Sequence, residues 1–256
     1  MKRIILKDVT FIFPVKIDAE ERIKNILGVI QYYMKYIVAT IIVCEVGVEP
    51  RLSKYLNGCD GVEYSFVYDE NIYFHHTHYR NEMIKKNNTD IIVVCDADII
   101  VSIDQLLKSI DKIRSGCCIS LPYDGICYDI FPDIRDLFFK ELDISAFSVQ
   151  GELIKNYGNL CVGGIFVISR NKYTEIGLEN EKIIGWGPED AERLKRASIL
   201  DSPIHRAKGV IYHLWHPRIK NNNTPNVDNI RQYLHICSLT YDELKSEISS
   251  WEWIKS

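Results

Sequence analysis

Asp96-Ala97-Asp98 closes an all-apolar run, Ile91-Ile92-Val93-Val94-Cys95. A short run of this kind reads as a buried strand. In open α/β sheets, ligands bind beyond the carboxyl ends of the strands. Two carboxylates placed there can hold a hard cation, which in turn neutralises a diphosphate. Asp-x-Asp alone is generic, because loops also use Asp for turn hydrogen bonds. A second cluster is His213-Leu214-Trp215-His216. On an extended segment, residues three apart point to opposite sides, but a turn after Leu214 would bring both imidazoles to one point. Imidazole beside carboxylate suits Mn²⁺ or a similar ion; on spacing alone, two hydrogen-bonded surface histidines are the plainer reading. The third cluster is Trp186-Gly187-Pro188-Glu189-Asp190. Two acids at a helix start complement the helix dipole. At a cleft, the same geometry offers one acid to a sugar hydroxyl and the other as a general base. Gly185 and Gly187 would let Trp186 swing over a ligand. His75, His76 and His78 precede a helix with no acidic neighbour in sequence and are assigned no chemical role.

These residues need elements to carry them. Residues 9–15, 39–46, 62–68, 91–95, 117–121, 164–169 and 209–214 read as strands. Helices are expected over 19–34 (Asp18 as N-cap; Ile23, Ile26, Leu27 and Ile30 on one face), 78–87, 104–114 and 189–197. Pro188 suits the first turn of the last of these. Strands alternating with helices argue for an α/β fold: a mostly parallel central sheet with helices on both faces. The pattern weakens over 122–159, which reads as loops over the sheet edge with a helix at 134–142. Residues 220–223 read as a polar loop, and the tail from 228 as two helices. The division expected is one catalytic domain over 1–226 with a C-terminal helical extension over 227–256.

With 31 basic and 35 acidic residues, the net charge of −4 offers no field for nucleic acid. No apolar stretch reaches the roughly 18 residues of a transmembrane helix. The apolar segment at Ile4-Ile5-Leu6 is too short for a signal-peptide core. Eight cysteines without a CxxC pair read as reduced thiols of a cytosolic protein. Trp251 and Trp253 are expected to pack as a helix end, with contact at a membrane interface as the other reading.

Taken together, the clusters resemble the β-1,4-galactosyltransferase family, inverting, metal-dependent glycosyltransferases of GT-A fold. The resemblance lies in Asp96-Ala97-Asp98 after a buried strand, Gly163-Gly164 before another, Gly185-Trp186-Gly187-Pro188-Glu189-Asp190, and the segment from His213 to Asn226. It runs over residues 9–226, and the Gly-Trp-Gly-x-Glu-Asp block is its specific part. The resemblance implies a single nucleotide-sugar-binding domain and a role for each matching residue. Asp98 and His216 would bind Mn²⁺ or another divalent cation. His213, where the animal enzymes often have Met, would be a further ligand. Asp96 would contact the nucleotide or metal-bound water. Asp190 would be the catalytic base and Glu189 an acceptor-binding acid. Trp186 and Gly187 would belong to a loop closing on the donor, beside Gly164. Phe13, Pro14 and Lys16 fall where the family contacts the nucleotide, with Lys16 and Arg22 in place of an Arg-rich pattern. Arg80 would contact the diphosphate or uracil. The implied reaction moves a hexose, galactose or an N-acetylhexosamine, from a UDP-sugar to a glycan or glycolipid hydroxyl, in surface polysaccharide or glycoconjugate synthesis. The expected location is cytoplasmic, with peripheral contact at the inner membrane face left open. A retaining GT-A transferase, a metal-dependent phosphohydrolase and a non-catalytic nucleotide-sugar-binding protein use some of the same residues; the Gly-Trp-Gly-x-Glu-Asp block favours inversion.

Overall fold

The computed structural model describes residues 2–150, 154–156, 160–217 and 226–255. Its centre is built from the apolar runs. β1 (Ile4–Val15), β2 (Ile37–Gly47), β3 (Val62–Tyr68) and β4 (Ile91–Cys95) lie parallel in the order β3-β2-β1-β4. β4 is buried along its whole length, because neighbours cover it on both edges and both faces. β5 is the short Ile99–Ile100 pair, and β6 spans Ile119–Leu121. Beyond β4 the direction reverses: β9 (Ile165–Ser169) runs antiparallel to both β4 and β6. β10 (Ile204–Arg206) closes that edge, giving a seven-stranded, mostly parallel sheet, β10-β6-β9-β4-β1-β2-β3. Helices α1 (Glu20–Tyr36), α2 (Ser53–Leu56), α3 (His76–Lys86) and α4 (Ile103–Arg114) pack against it.

Residues 122–159 hold more than loops. They contain β7 (Cys127–Ile130), α5 (Pro132–Glu141), a 3₁₀ turn (Ile144–Gln150) and β8 (Ile154–Asn156). β7 joins β11 (Ile211–Leu214) in a second sheet, β5-β11-β7-β8. Cys127-Tyr128-Asp129-Ile130 carries little strand signal of its own. Its partner lies 84 residues further on, at His213 opposite Asp129, where no local window reaches. The expected polar loop at 220–223 lies outside the described residues.

The remaining helices are α6 (Arg170–Glu175), α7 (Glu189–Ile199), α8 (Val227–Ser238), α9 (Tyr241–Ser250) and α10 (Glu252–Lys255). The tail thus forms three helices rather than two. Thr240 and Glu243 form a capping box that restarts the chain as α9. The tail contributes Ile236, Leu244, Ile248 and Trp251 to the same core as the sheet. Trp253 packs with it and donates from Nε1 to the Gly177 carbonyl at 3.2 Å. Asp18 is not the N-cap of α1: Ala19 holds that place without a side-chain bond, and Asp18 instead accepts from Arg22 Nε at 2.8 Å. All eight cysteines are free thiols. Among the described residues, no helix is long and apolar enough to cross a membrane.

Candidate active site

The carboxyl ends of β1 and β4, the start of α7 and the end of β11 converge on a cavity of about 640 Å³. One corner of it is built from the turn after β4. The Asp96 amide donates to the Gly164 carbonyl at 2.8 Å, and the Asp98 carbonyl accepts from the Leu214 amide at 2.8 Å. Those bonds, with the antiparallel pairing of His213 to Ile99, bring β11 against the acidic turn. Asp98, His213 and His216 then offer ligand atoms that all lie within 4.8 Å of one another.

The donor set fits a divalent cation. His213 Nδ1 faces Asp129 Oδ1 at 2.8 Å, and His216 Nδ1 faces the Pro217 carbonyl at 3.0 Å. Both partners are acceptors, which assigns the protons to Nδ1 and the lone pairs to Nε2. Burial, with Arg22 and His213 nearby, lowers the His216 pKa and keeps its ring neutral. Its Nε2 lies 3.3 Å from Asp98 Oδ2. Two lone-pair-bearing atoms facing each other call for a cation between them, and carboxylate with two imidazoles is a suitable donor set. Asp98 is also held at 3.0 Å by Arg22 Nη1. Burial would raise its pKa, but the charged neighbours, of which the Arg22 guanidinium is the one in direct contact, outweigh that and hold the carboxyl below its usual range.

Asp96 stands apart from this trio. Its Oδ1 accepts from Arg80 Nη2 at 3.0 Å, and 37% of its side chain remains open. Enclosure in the cleft, and the neighbouring Asp98 and Asp190, push it up to about 6 against the pull of Arg80.

The opposite corner is the start of α7. Asp190 Oδ1 accepts from Arg193 Nη2 at 2.9 Å and lies 3.8 Å from Arg80 Nη1. Its other oxygen rests on Gly163, where an added Cβ would overlap Oδ2. Tyr123, fully buried, pins that glycine by donating to its carbonyl at 2.6 Å. Gly164 follows with φ +88°, a backbone state that favours glycine. Glu189 is 9% exposed and its Oε2 has no hydrogen-bond partner. Burial, and then the adjacent Asp190, push its carboxyl up to about 8.

Trp186 hangs over the cavity with 46% of its surface exposed. Asn229 of α8 staples its loop: Nδ2 donates to the Ile184 and Trp186 carbonyls at 2.8 and 3.1 Å, and Oδ1 accepts from the Ile184 amide at 3.1 Å. Gly185 has φ +71° and packs against Tyr73.

Most of the residues singled out from sequence line this cavity: Pro14, Lys16, Arg80, Asp96, Asp98, Gly164, Trp186, Gly187, Glu189, Asp190, His213 and His216. Phe13 does not. It is fully buried in the core, because β1 is covered along its carboxyl half and the chain reaches the cavity only from Pro14 onward. Arg80 lies inside α3, which begins at His76, two residues before the expected start at 78. It is 2% exposed and held among Asp96, Glu179 and Asp190, while its Nε and Nη1 lack hydrogen-bond partners. His76, expected to be uninvolved, lines the cavity, and burial with Arg80 and Arg22 pushes its pKa down to about 3. His75 and His78 meet Glu181 instead, through its carbonyl and carboxylate at 2.9 Å each. Sequence reasoning missed Asp129, Glu179, Arg193 and Tyr123. Only Arg193 left a signal, three residues after Asp190 on a helix.

Residues 149–218 match the family described as the N-terminal domain of galactosyltransferase. That segment carries Gly163-Gly164, the Trp186 loop, Glu189, Asp190 and both histidines. No curated protein matches the chain in sequence. Among solved structures, GalNAc-T7 with UDP, GalNAc and Mn²⁺ superposes with a TM-score of 0.61 at 13% identity, covering 94% of this chain and 50% of its own. The catalytic domain of Drosophila β1,4-galactosyltransferase 7 with xylobiose gives 0.58 at 14%, covering 93% and 84%. The mannosyltransferase PcManGT of Pyrobaculum calidifontis, with GDP-Man and Mn²⁺, gives 0.54 at 14%, covering 84% and 58%. The chain thus spans half the length of the GalNAc-T7 structure and somewhat more of the mannosyltransferase. The chain has the GT-A fold of these glycosyltransferases, and its segment 149–218 is similar to the N-terminal domain of galactosyltransferase.

Proposed function

We propose that the protein is a metal-dependent, inverting glycosyltransferase that moves a hexose from a UDP-sugar to a sugar hydroxyl. The observation that carries the reading is the convergence of Asp98, His213 and His216 within 4.8 Å on a cavity that also holds Asp190 at a helix start. Mn²⁺ is present in the GalNAc-T7 and mannosyltransferase structures, and the carboxylate–imidazole set suits it. Bound there, the cation would neutralise the donor diphosphate and stabilise the charge on departing UDP.

The protein's own groups do the rest. Asp190 takes the proton of the acceptor hydroxyl as the oxygen attacks the anomeric carbon from the face opposite the leaving group, which inverts that centre. Glu189, neutral below about pH 8, has an orphan oxygen that hydrogen-bonds the acceptor. Pro14 and Lys16, at the end of β1, border the nucleotide. Arg80 and Asp96, paired at 3.0 Å, flank the diphosphate. Trp186 covers the donor and keeps water from competing with the acceptor. Galactose is the donor sugar favoured by the family match, with an N-acetylhexosamine as the other reading, since the GalNAc-T7 structure holds UDP and GalNAc; a glycan or glycolipid of surface polysaccharide synthesis on the cytoplasmic side is the acceptor.

A screen of UDP-sugars with Mn²⁺ or EDTA, following UDP release with and without β-linked GlcNAc, glucose and xylose acceptors, tests this. Metal-dependent, acceptor-stimulated release with β-product from an α-donor is expected. An α-product would make the enzyme a retaining one, and phosphate release without transfer would make it a phosphohydrolase.

A further inference from the structure

Asp190 does not stand alone at the start of α7. Arg193, one helical turn later and fully buried, sends Nη2 to Asp190 Oδ1 at 2.9 Å and, from the same nitrogen, to Glu179 Oε2 at 3.0 Å. Its Nε completes the fork to Glu179 Oε1 at 2.8 Å. The guanidinium carbon lies over the Phe166 ring, 3.7 Å from its centroid. Glu179 is itself fixed: Tyr173 donates to Oε1 at 2.5 Å, and the Glu179 amide donates to Asn81 Oδ1 at 2.8 Å. Burial would raise the Glu179 pKa, but Arg193 and Arg80 hold it down to about 2, so the anchor stays charged.

The two-point Glu179 fork already neutralises the charge of the buried guanidinium, although its Nη1 has no hydrogen-bond partner. The third bond, to Asp190, reaches outward from that pair to the cavity wall. It ties one carboxylate oxygen down while Gly163 borders the other. No donor among the described residues reaches Oδ2. Carboxylate rotation about its terminal torsion is otherwise soft.

We propose that Arg193, anchored by Glu179, is a positioning residue: it fixes Oδ1 of Asp190 so that Oδ2 meets the acceptor hydroxyl at the angle needed to take its proton. The inference rests on the reading of Asp190 as the base. Arg193 touches no substrate and acts through Asp190.

The test compares wild type with Arg193→Met, Arg193→Lys, Glu179→Gln and the double variant Arg193→Met/Glu179→Gln. Each is assayed for thermal stability, Mn²⁺-dependent UDP binding and sugar transfer. Arg193→Met should lower kcat about 100-fold, the cost expected for a misplaced catalytic group. UDP affinity should stay within about threefold, because no donor contact is removed. Arg193→Lys should recover about tenfold of the lost kcat, since it restores charge and one bond but not the fork. The double variant removes both buried charges, so its Tm should return toward wild type while its kcat stays low. A double variant that turns over at the wild-type rate, or an Arg193→Met whose UDP binding falls in step with kcat, would overturn the positioning role alone. A wild type that binds UDP with metal but transfers no sugar would overturn the base assignment and this inference together.

Discussion

The carboxylate of Asp190 rests directly on the α-carbon of Gly163, with Oδ2 where a side-chain methyl would have to go. Gly163 is not among the glycines held at positive φ, so alanine is acceptable to its backbone, and the constraint is purely the space Asp190 occupies. Gly163→Ala should therefore fold, with a Tm within a few degrees of wild type. Its kcat should fall about 10- to 100-fold as the carboxylate is displaced. Parallel measurement of Tm and kcat checks this; a normal kcat would show that Asp190 tolerates the shift.

Metal binding should be visible as stability. A cation held only by the folded chain raises Tm by mass action, by about 2.7 kcal/mol of stability at a hundredfold excess over Kd. Mn²⁺ should raise the Tm of wild type and not that of Asp98→Asn or His216→Ala. His213→Ala should keep part of the shift, and Asp129→Ala should weaken Mn²⁺ affinity about 10-fold by releasing the His213 ring. Equal shifts in all variants would remove these residues as ligands.

Glu189 makes stability depend on pH. Its carboxyl is raised from the ordinary 4.5 to about 8 by burial and by Asp190. The folded chain therefore binds more protons than the unfolded chain between those values. The stabilisation is fully present below about pH 4.5 and is lost as pH rises through about 8. Wild-type Tm should fall across that window relative to Glu189→Gln, whose side chain does not titrate. Thermal melts of both proteins from pH 5 to pH 9 would reveal it; parallel curves would mean that Glu189 ionises normally.

The Trp186 loop should respond to a residue more than forty positions away. Asn229→Ala removes three hydrogen bonds to that loop, each worth about 0.5–1.5 kcal/mol. Donor KM should rise, and any change in Trp fluorescence on UDP-sugar addition should be reduced. Unchanged KM and fluorescence would show the loop to be held by other contacts.

Deleting residues 227–256 should abolish a cooperative melt. The deletion strips Ile236, Leu244, Ile248 and Trp251 from the core. At about 1.5–3 kcal/mol per buried side chain, that is comparable with the roughly 5–15 kcal/mol of a whole domain. A soluble, cooperatively folding 1–226 fragment would establish the tail as dispensable.

Several features are legible in the sequence alone. β4 and the Asp-x-Asp after it, the Glu189 helix and the parallel sheet follow from runs and periodicities contained in a few residues. Others were not. Phe13 falls where the family resemblance implies a nucleotide contact, yet its side chain belongs to the core. Asp18 looked like a cap, but Arg22 claims it. The β7 strand is recognisable only from the β11 strand it pairs with.

The sequence by itself determined which chemistry is present: acids after a buried strand, acids at a helix start, and two histidines three residues apart at a strand end. Identity and local order are enough for that, since strand ends and helix starts are set by near neighbours. Only the tertiary structure decided how those groups are aimed. His213 meets Asp129 across 84 positions, and Arg193 ties Asp190 to Glu179, which lies on a separate segment. Such contacts form when distant segments pack into one core. The orientation of each carboxylate and imidazole, and with it the protonation of Glu189 and His76, therefore follows from burial and neighbours that no local stretch of sequence encodes.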